Sequence, residues 1–159
     1  MNYSILTKQA ALLTESTSNL ISDLSNVSSL LFNELKDVSW VGFYIYSNGK
    51  LLLGPFCGKP ACTEIKVGNG VCGTSFERKE TVLVENVHEF PGHIACDSAS
   101  NSEIVVPVFY KGSIVGVLDL DSTSFNRFNN EDKIGLEAIA EVISNSFGKE
   151  QFKLWKIYI

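Results

Sequence analysis

A chain of 159 residues, 45% hydrophobic and 19% charged, is long enough to bury a core of its own, and this composition excludes the disordered, collagenous and coiled-coil classes. With 13 Lys+Arg against 18 Asp+Glu the net charge is -5, which repels phosphate backbones and anionic lipid, so neither nucleic acid nor a membrane is an expected partner. Residues 1–20 carry no basic segment ahead of a long apolar one, and no run approaches about 18 consecutive apolar residues, so the expected compartment is the cytosol. There the four cysteines are expected to be packing, metal or redox residues rather than a secreted disulfide framework.

A short helical stretch over residues 4–13 precedes the polar run 14–19. From there Leu20, Ile21, Leu24, Val27, Leu30, Leu31 and Leu35 recur at three- and four-residue intervals, the apolar stripe of a helix that packs on a sheet. Residues 40–46 are aromatic and β-branched, residues 51–56 are apolar, and Asn48-Gly49 between them predicts a hairpin with a type I′ turn. A third strand over 63–67 leads through Gly68-Asn69-Gly70 into a helix ending near Lys79, and a fourth strand covers 81–85.

Residues 86–102 hold Pro91-Gly92, both histidines and Cys96 without periodicity of either kind, and a loop of that length in a compact domain tends to be functional. Residues 103–110 and 113–121 form a second hairpin across Lys111-Gly112. Asn130 is expected to cap a last helix with Glu131 and Asp132 in its first turn and Ile134, Ala138, Ile139, Val142 and Ile143 on its core face. The tail 148–159 is apolar enough either to extend that helix or to cover a partner. With strands joined by tight turns, the predicted fold is α+β: a single domain over 1–159, its core about 20–147, with a largely antiparallel sheet of about six strands covered by N- and C-terminal helices.

Gly68-Asn69-Gly70-Val71-Cys72-Gly73, with Glu85 after it, fits the dinucleotide fingerprint G-x-G-x-x-G. The helix that follows is too short and the rest of the chain is hairpins rather than repeated βαβ units, so the motif reads as a tight turn before a helix.

Three cysteines stand in contexts suited to chemistry. Cys96 lies in an irregular polar loop whose amides can stabilise a thiolate. Cys72 opens a helix, where the dipole is expected to lower its pKa. Cys62 lies in another loop, whereas Cys57 ends an apolar strand and reads as packing. Their spacing contains no C-x-x-C and matches no common zinc ribbon or finger, so no metal is expected. Alternation puts Asp119 and Asp121 on one face of a strand, with Leu118 and Leu120 opposite, and it puts Trp40 and Tyr44 on one face of the first hairpin. Glu103 opens the strand that pairs with the aspartates, within reach of them. Two carboxyls so close repel, and a desolvated one then holds a proton at neutral pH; the plain structural alternative is that the aspartates end a strand at the solvent edge and the aromatics are core.

The blocks Trp40-Val41-Gly42-Phe43-Tyr44, Leu53-Gly54-Pro55-Phe56, Gly58-Lys59-Pro60-Ala61-Cys62, Gly70-Val71-Cys72-Gly73-Thr74, Pro91-Gly92-His93-Ile94-Ala95-Cys96-Asp97, Ser102-Glu103-Ile104-Val105-Val106-Pro107 and Gly116-Val117-Leu118-Asp119-Leu120-Asp121 together resemble the free methionine-(R)-sulfoxide reductases over residues 20–147. A generic GAF domain shares the glycine turn but not the thiols. The resemblance implies a GAF fold that reduces the R sulfoxide of free methionine, with Cys96 as nucleophile, Cys62 as resolving thiol and Cys72 as a further exchange thiol. It further implies a substrate pocket of Trp40, Tyr44, Glu103, Asp119 and Asp121, with Glu103 and Asp121 sharing the catalytic proton. His93, three residues before Cys96, either favours the thiolate or is merely solvated. The resemblance also implies no bound cofactor, thioredoxin as reductant with NADPH supplied indirectly through thioredoxin reductase, a homodimer, and a part in the response to oxidative stress. Two rivals make different predictions: a ligand-sensing GAF module predicts no turnover, and a structural zinc protein predicts unfolding by chelators.

Overall fold

The computed structural model describes residues 1–15, 19–94 and 96–146. In chain order the elements are α1 (Tyr3–Glu15), α2 (Leu20–Glu34), β1 (Trp40–Ser47), β2 (Lys50–Cys57), β3 (Glu64–Lys66), α3 (Gly70–Arg78), β4 (Val82–Val84), a single 3-10 turn (Val87–Glu89), β5 (Ser102–Tyr110), β6 (Ser113–Ser122) and α4 (Asn130–Ser146). The strands form one six-stranded sheet in the order β3-β2-β1-β6-β5-β4, and every neighbouring pair is antiparallel. The expected α+β architecture is the one observed.

Both tight hairpins arise where the sequence supplies residues for a left-handed turn. Asn48 and Gly49 have φ of 47° and 85°, and Lys111 and Gly112 have 48° and 79°, the paired positive values that a type I′ turn requires. Its twist matches that of the flanking strands, and so sets the register of β1 on β2 and of β5 on β6.

The helices divide between the two faces. On one face α1, α2 and α4 bury Leu6, Leu24, Val27, Leu31, Leu136, Ile139 and Ile143 against Phe43, Ile104, Val106, Leu118 and Leu120. The α2 stripe is as expected except at Ile21, which is 48% exposed; Asn19 caps the helix by accepting a hydrogen bond from the Ser22 amide. In α4 two expectations are corrected. The cap is Asn129, whose Oδ1 accepts from the amides of Glu131 and Asp132, one residue earlier than Asn130. The core face is Leu136, Ile139, Ala140 and Ile143, with Val142 partly buried against it, while Ile134 is 61% exposed. That stripe is phased by Asp132, buried by hydrogen bonds from Tyr3 and Arg127; two residues on, Ile134 lies about 200° around the helix.

The opposite face is covered by α3 and the long loop instead of the terminal helices. Trp40, Tyr44, Val105 and Val117 meet Val71, Cys72 and Phe76 there. The glycine motif is explained locally: Gly68 and Gly70 have φ of 83° and 61°, and a Cβ on Gly73 would lie 2.5 Å from the carbonyl oxygen of Lys66. The strands flanking α3 lie at opposite edges of the sheet, so no βαβ unit exists and the dinucleotide reading falls. Among the described residues no helix is long and apolar enough to cross a membrane. The apolar tail 148–159 lies outside the described residues.

Candidate active site

The strand period that buries Leu118 and Leu120 under the helices aims Val117, Asp119 and Asp121 at the α3 face. Pairing then concentrates the polar groups. Asp121 is the register partner of Trp40 on one side and of Glu103 on the other, and residues directly opposite across an antiparallel pair lie about 5 Å apart at Cβ on one face. The result is a pocket lined by Trp40, Tyr44, Cys72, Cys96, Glu103, Asp119 and Asp121, closed by His93, Ile94 and Ser100 from the long loop.

Two of the pocket's aromatics also fasten the loop that carries Cys62. Trp40 Nε1 donates to the carbonyl of Lys59 at 3.0 Å, and Tyr44 OH donates to the carbonyl of Cys62 at 2.8 Å. Cys62 and Cys96 are joined by a disulfide with Cα atoms 5.4 Å apart, and the Lys59 ammonium reaches the Asp97 carboxylate at 3.1 Å beside it. Cys57 and Cys72 are free thiols, the first half-buried and the second buried. In this disulfide-linked form the pocket's cavity is about 40 Å³, room for ordered water.

Burial dominates the electrostatics. Glu103 is pushed well above the usual carboxylate range by desolvation and by the charge of Asp121. Asp119 is raised likewise, by burial first and then by Asp121 and Glu103. Asp121 rises to about 6 through burial, against the opposing pull of a hydrogen bond from Ser100 and the nearby His93. Three carboxyls in one desolvated site therefore hold protons at pH values where free carboxyls have lost them. Tyr44 is raised by burial and by Asp119, so its phenol stays a neutral donor.

Two sequence readings change. Cys72 lies at the first turn of α3 as expected, but its thiol is pushed well up, by burial first and then by the charges of Asp119 and Glu103; desolvation beside two carboxyls outweighs the helix dipole. His93 is not a solvated loop residue. Its Nε2 lies 3.7 Å from Glu103 Oε2, and burial lowers its pKa despite the attraction of Asp121, so it faces the carboxyls. Ser100, buried and hydrogen-bonded to Asp121, was missed, because a serine in an aperiodic loop gives no signal. Lys59 and Asp97 were missed as a pair, although Asp97 adjoins Cys96. Cys62, Cys72, Cys96, Trp40, Tyr44, Glu103, Asp119 and Asp121 all come together.

A disulfide-linked cysteine pair beside a pocket lined by two aromatics and three buried carboxyls of raised pKa defines a thiol oxidoreductase acting on a small molecule. Comparison with known proteins gives the family. The GAF domain model matches residues 22–147. The free methionine-R-sulfoxide reductase of Escherichia coli is 44% identical over 151 residues, 95% of this chain and 92% of that one. A structure of fRMsr of Staphylococcus aureus in complex with substrate is 48% identical, covers 92% of this chain and 96% of its own, and superposes with a TM-score of 0.88. That of the Neisseria meningitidis free methionine-R-sulfoxide reductase with its substrate gives 36%, 96%, 91% and 0.90 in the same order. The chain belongs to the free methionine-(R)-sulfoxide reductase family of GAF-domain enzymes.

Proposed function

We propose that this enzyme reduces free methionine-(R)-sulfoxide to methionine through Cys96 and Cys62, and that thioredoxin recycles it. The observation that carries the reading is the Cys62–Cys96 disulfide against a pocket walled by Glu103, Asp119 and Asp121.

Reduction of the disulfide frees the Cys96 loop from the Cys62 loop, so that the pocket can admit substrate. The Cys96 thiolate attacks the sulfoxide sulfur while the proton shared by Glu103 and Asp121, held on Glu103 by burial and by the charge of Asp121, passes to the sulfoxide oxygen. Methionine leaves and Cys96 becomes a sulfenic acid, two electrons having passed from the thiol to the sulfoxide. The Cys62 thiol then attacks the sulfenic sulfur, releasing water and forming the disulfide. A thioredoxin-type dithiol restores both thiols by exchange, its electrons drawn from NADPH by thioredoxin reductase. Asp119 holds the substrate ammonium, which draws its carboxyl into the charged form, and the Trp40 ring packs on the S-methyl group with Tyr44 beside it.

Cys72 stands in reserve. Its raised pKa makes it a poor nucleophile at neutral pH, and it enters exchange only as a slow secondary thiol. Both disulfide cysteines lie in loops and are half-buried, which suits attack by a dithiol partner. No bound cofactor is needed by these steps. A reducing cytosol, a homodimer and a part in the response to oxidative stress belong to the same reading through the resemblance to the family.

The test follows NADPH oxidation with thioredoxin, thioredoxin reductase and the separate R and S epimers of free methionine sulfoxide. The proposal expects turnover of the R epimer only. Absence of R-selective oxidation overturns it, and equal rates for the two epimers overturn the pocket assignment.

A further inference from the structure

Cys72, Glu103 and Asp119 form a constellation that the sulfoxide chemistry only half uses. Among the described residues this trio has its ligand atoms, the Cys72 sulfur and one carboxylate oxygen from each acid, all within 4.8 Å of one another, and all three residues are buried. Around a tetrahedral zinc ion, sulfur at about 2.3 Å and oxygen at about 2.1 Å stand roughly 3.6 Å apart, so small side-chain adjustments bring the three donors onto one ion. A second observation points the same way: Asp119 is 5% exposed, its carboxyl shares hydrogen bonds only with Cys72 and Glu103 inside the trio, and its Oδ1 is buried without a hydrogen-bond partner. A buried carboxylate oxygen without a donor, beside a thiol and another carboxyl, is one that a cation would satisfy.

We propose that Cys72, Glu103 and Asp119 form a site for a thiophilic divalent cation such as zinc, and that the ion excludes the substrate ammonium from the same place. The competition rests on the sulfoxide reductase reading; the metal site does not. One thiolate and two carboxylates supply three negative charges in a desolvated pocket, where a dication relieves the mutual repulsion that otherwise keeps these groups protonated. Binding therefore releases protons and strengthens as pH rises. The sulfur donor selects zinc or cobalt over magnesium and calcium, which prefer all-oxygen shells. Three protein donors leave the fourth position open toward the pocket, the arrangement of an exchangeable ion rather than a structural one. The ligands come from α3, β5 and β6, which is why no cysteine spacing announced the site. None of them belongs to the Cys62–Cys96 disulfide, so forming or reducing that bond consumes none of the three donors.

The probe is Co²⁺, titrated into a full-length Cys57→Ser/Cys62→Ser/Cys96→Ser variant in which Cys72 is the sole thiol. The proposal expects one equivalent to bind with a thiolate-to-cobalt charge-transfer band, absent when Cys72→Ser is added, weakened at least tenfold by Asp119→Asn, and displaced by Zn²⁺ but not by Mg²⁺. Circular dichroism of each variant reports whether it is folded, and Asp119→Asn, which keeps the thiol, carries the test if the Cys72→Ser variant is unfolded. No band, or a band that ignores both substitutions, overturns the site. Free methionine-(R)-sulfoxide is expected to bleach the band; a band it leaves untouched overturns the competition alone. A band together with no sulfoxide turnover by the wild-type enzyme leaves the site standing and removes the proposed function.

Discussion

The two faces of one sheet divide the protein's labour. On the face under α1, α2 and α4 the strands present Phe43, Ile104, Val106, Leu118 and Leu120 to a dry apolar core. On the other, the same strands present Trp40, Tyr44, Glu103, Asp119 and Asp121 to a pocket. Leu118 and Asp119 are neighbours in sequence, and a single strand period separates a packing role from a chemical one. A functional site can thus be desolvated and partly unsatisfied because the alternate residues of its own strands hold the fold.

The largest effects should come from breaking the site at its thiols. Cys96→Ser is expected to abolish methionine formation, whereas Cys62→Ser should spare the first turnover and stop thioredoxin-dependent cycling; quantifying methionine after one turnover and at steady state separates the two. Next in size, Glu103→Gln should lower kcat by about 10²–10⁴, the usual range for losing a positioned proton donor, with the fold intact by circular dichroism. On the helical face Leu118→Ala should destabilise by about 2–5 kcal/mol in urea unfolding, with kcat/KM of the remaining folded protein unchanged.

A smaller effect has opposite signs on the two quantities. The Asp121 carboxyl is raised from its ordinary 3.8 to about 6, so its protonated form fits the fold better than its charged form. Its contribution is fully present below pH 4 and lost as pH rises from there through 6. Asp121→Asn, always neutral, should therefore raise stability at pH 8 by at most about 3 kcal/mol, gain little at pH 4, and still lose activity; thermal melts at the two pH values read this. The smallest effect belongs to the exposed Lys59–Asp97 pair: Lys59→Met should shift stability by less than about 1 kcal/mol.

The sequence made some of this legible for reasons that the two faces explain. Strand alternation and the Asn48-Gly49 turn are local properties, and they placed the two aromatics on one face of their strand and the two aspartates on one face of theirs; that the faces coincide follows from the pairing of β1 with β6. Helix phase was less secure: Ile134 is as apolar as Ile139, and only the tertiary anchoring of Asp132 by Tyr3 and Arg127 decides which faces the core. The cysteine roles needed the resemblance, since spacing alone left packing, metal and redox open. Electrostatics read from local context failed at Cys72, because burial beside Asp119 and Glu103 is a property of the assembled pocket and the helix end is a property of the chain. Ser100 and the placement of His93 against Glu103 likewise exist only once the loop is folded over the sheet.

The central claim is that Cys96 meets the sulfoxide sulfur and Cys62 resolves the product. Mixing the reduced Cys62→Ser protein with one equivalent of free methionine-(R)-sulfoxide, then trapping sulfenic acid and locating the adduct by peptide mass spectrometry, addresses both halves at once. The account predicts one methionine per protein and the adduct on Cys96; methionine formed with the adduct on Cys72, or no methionine at all, contradicts it.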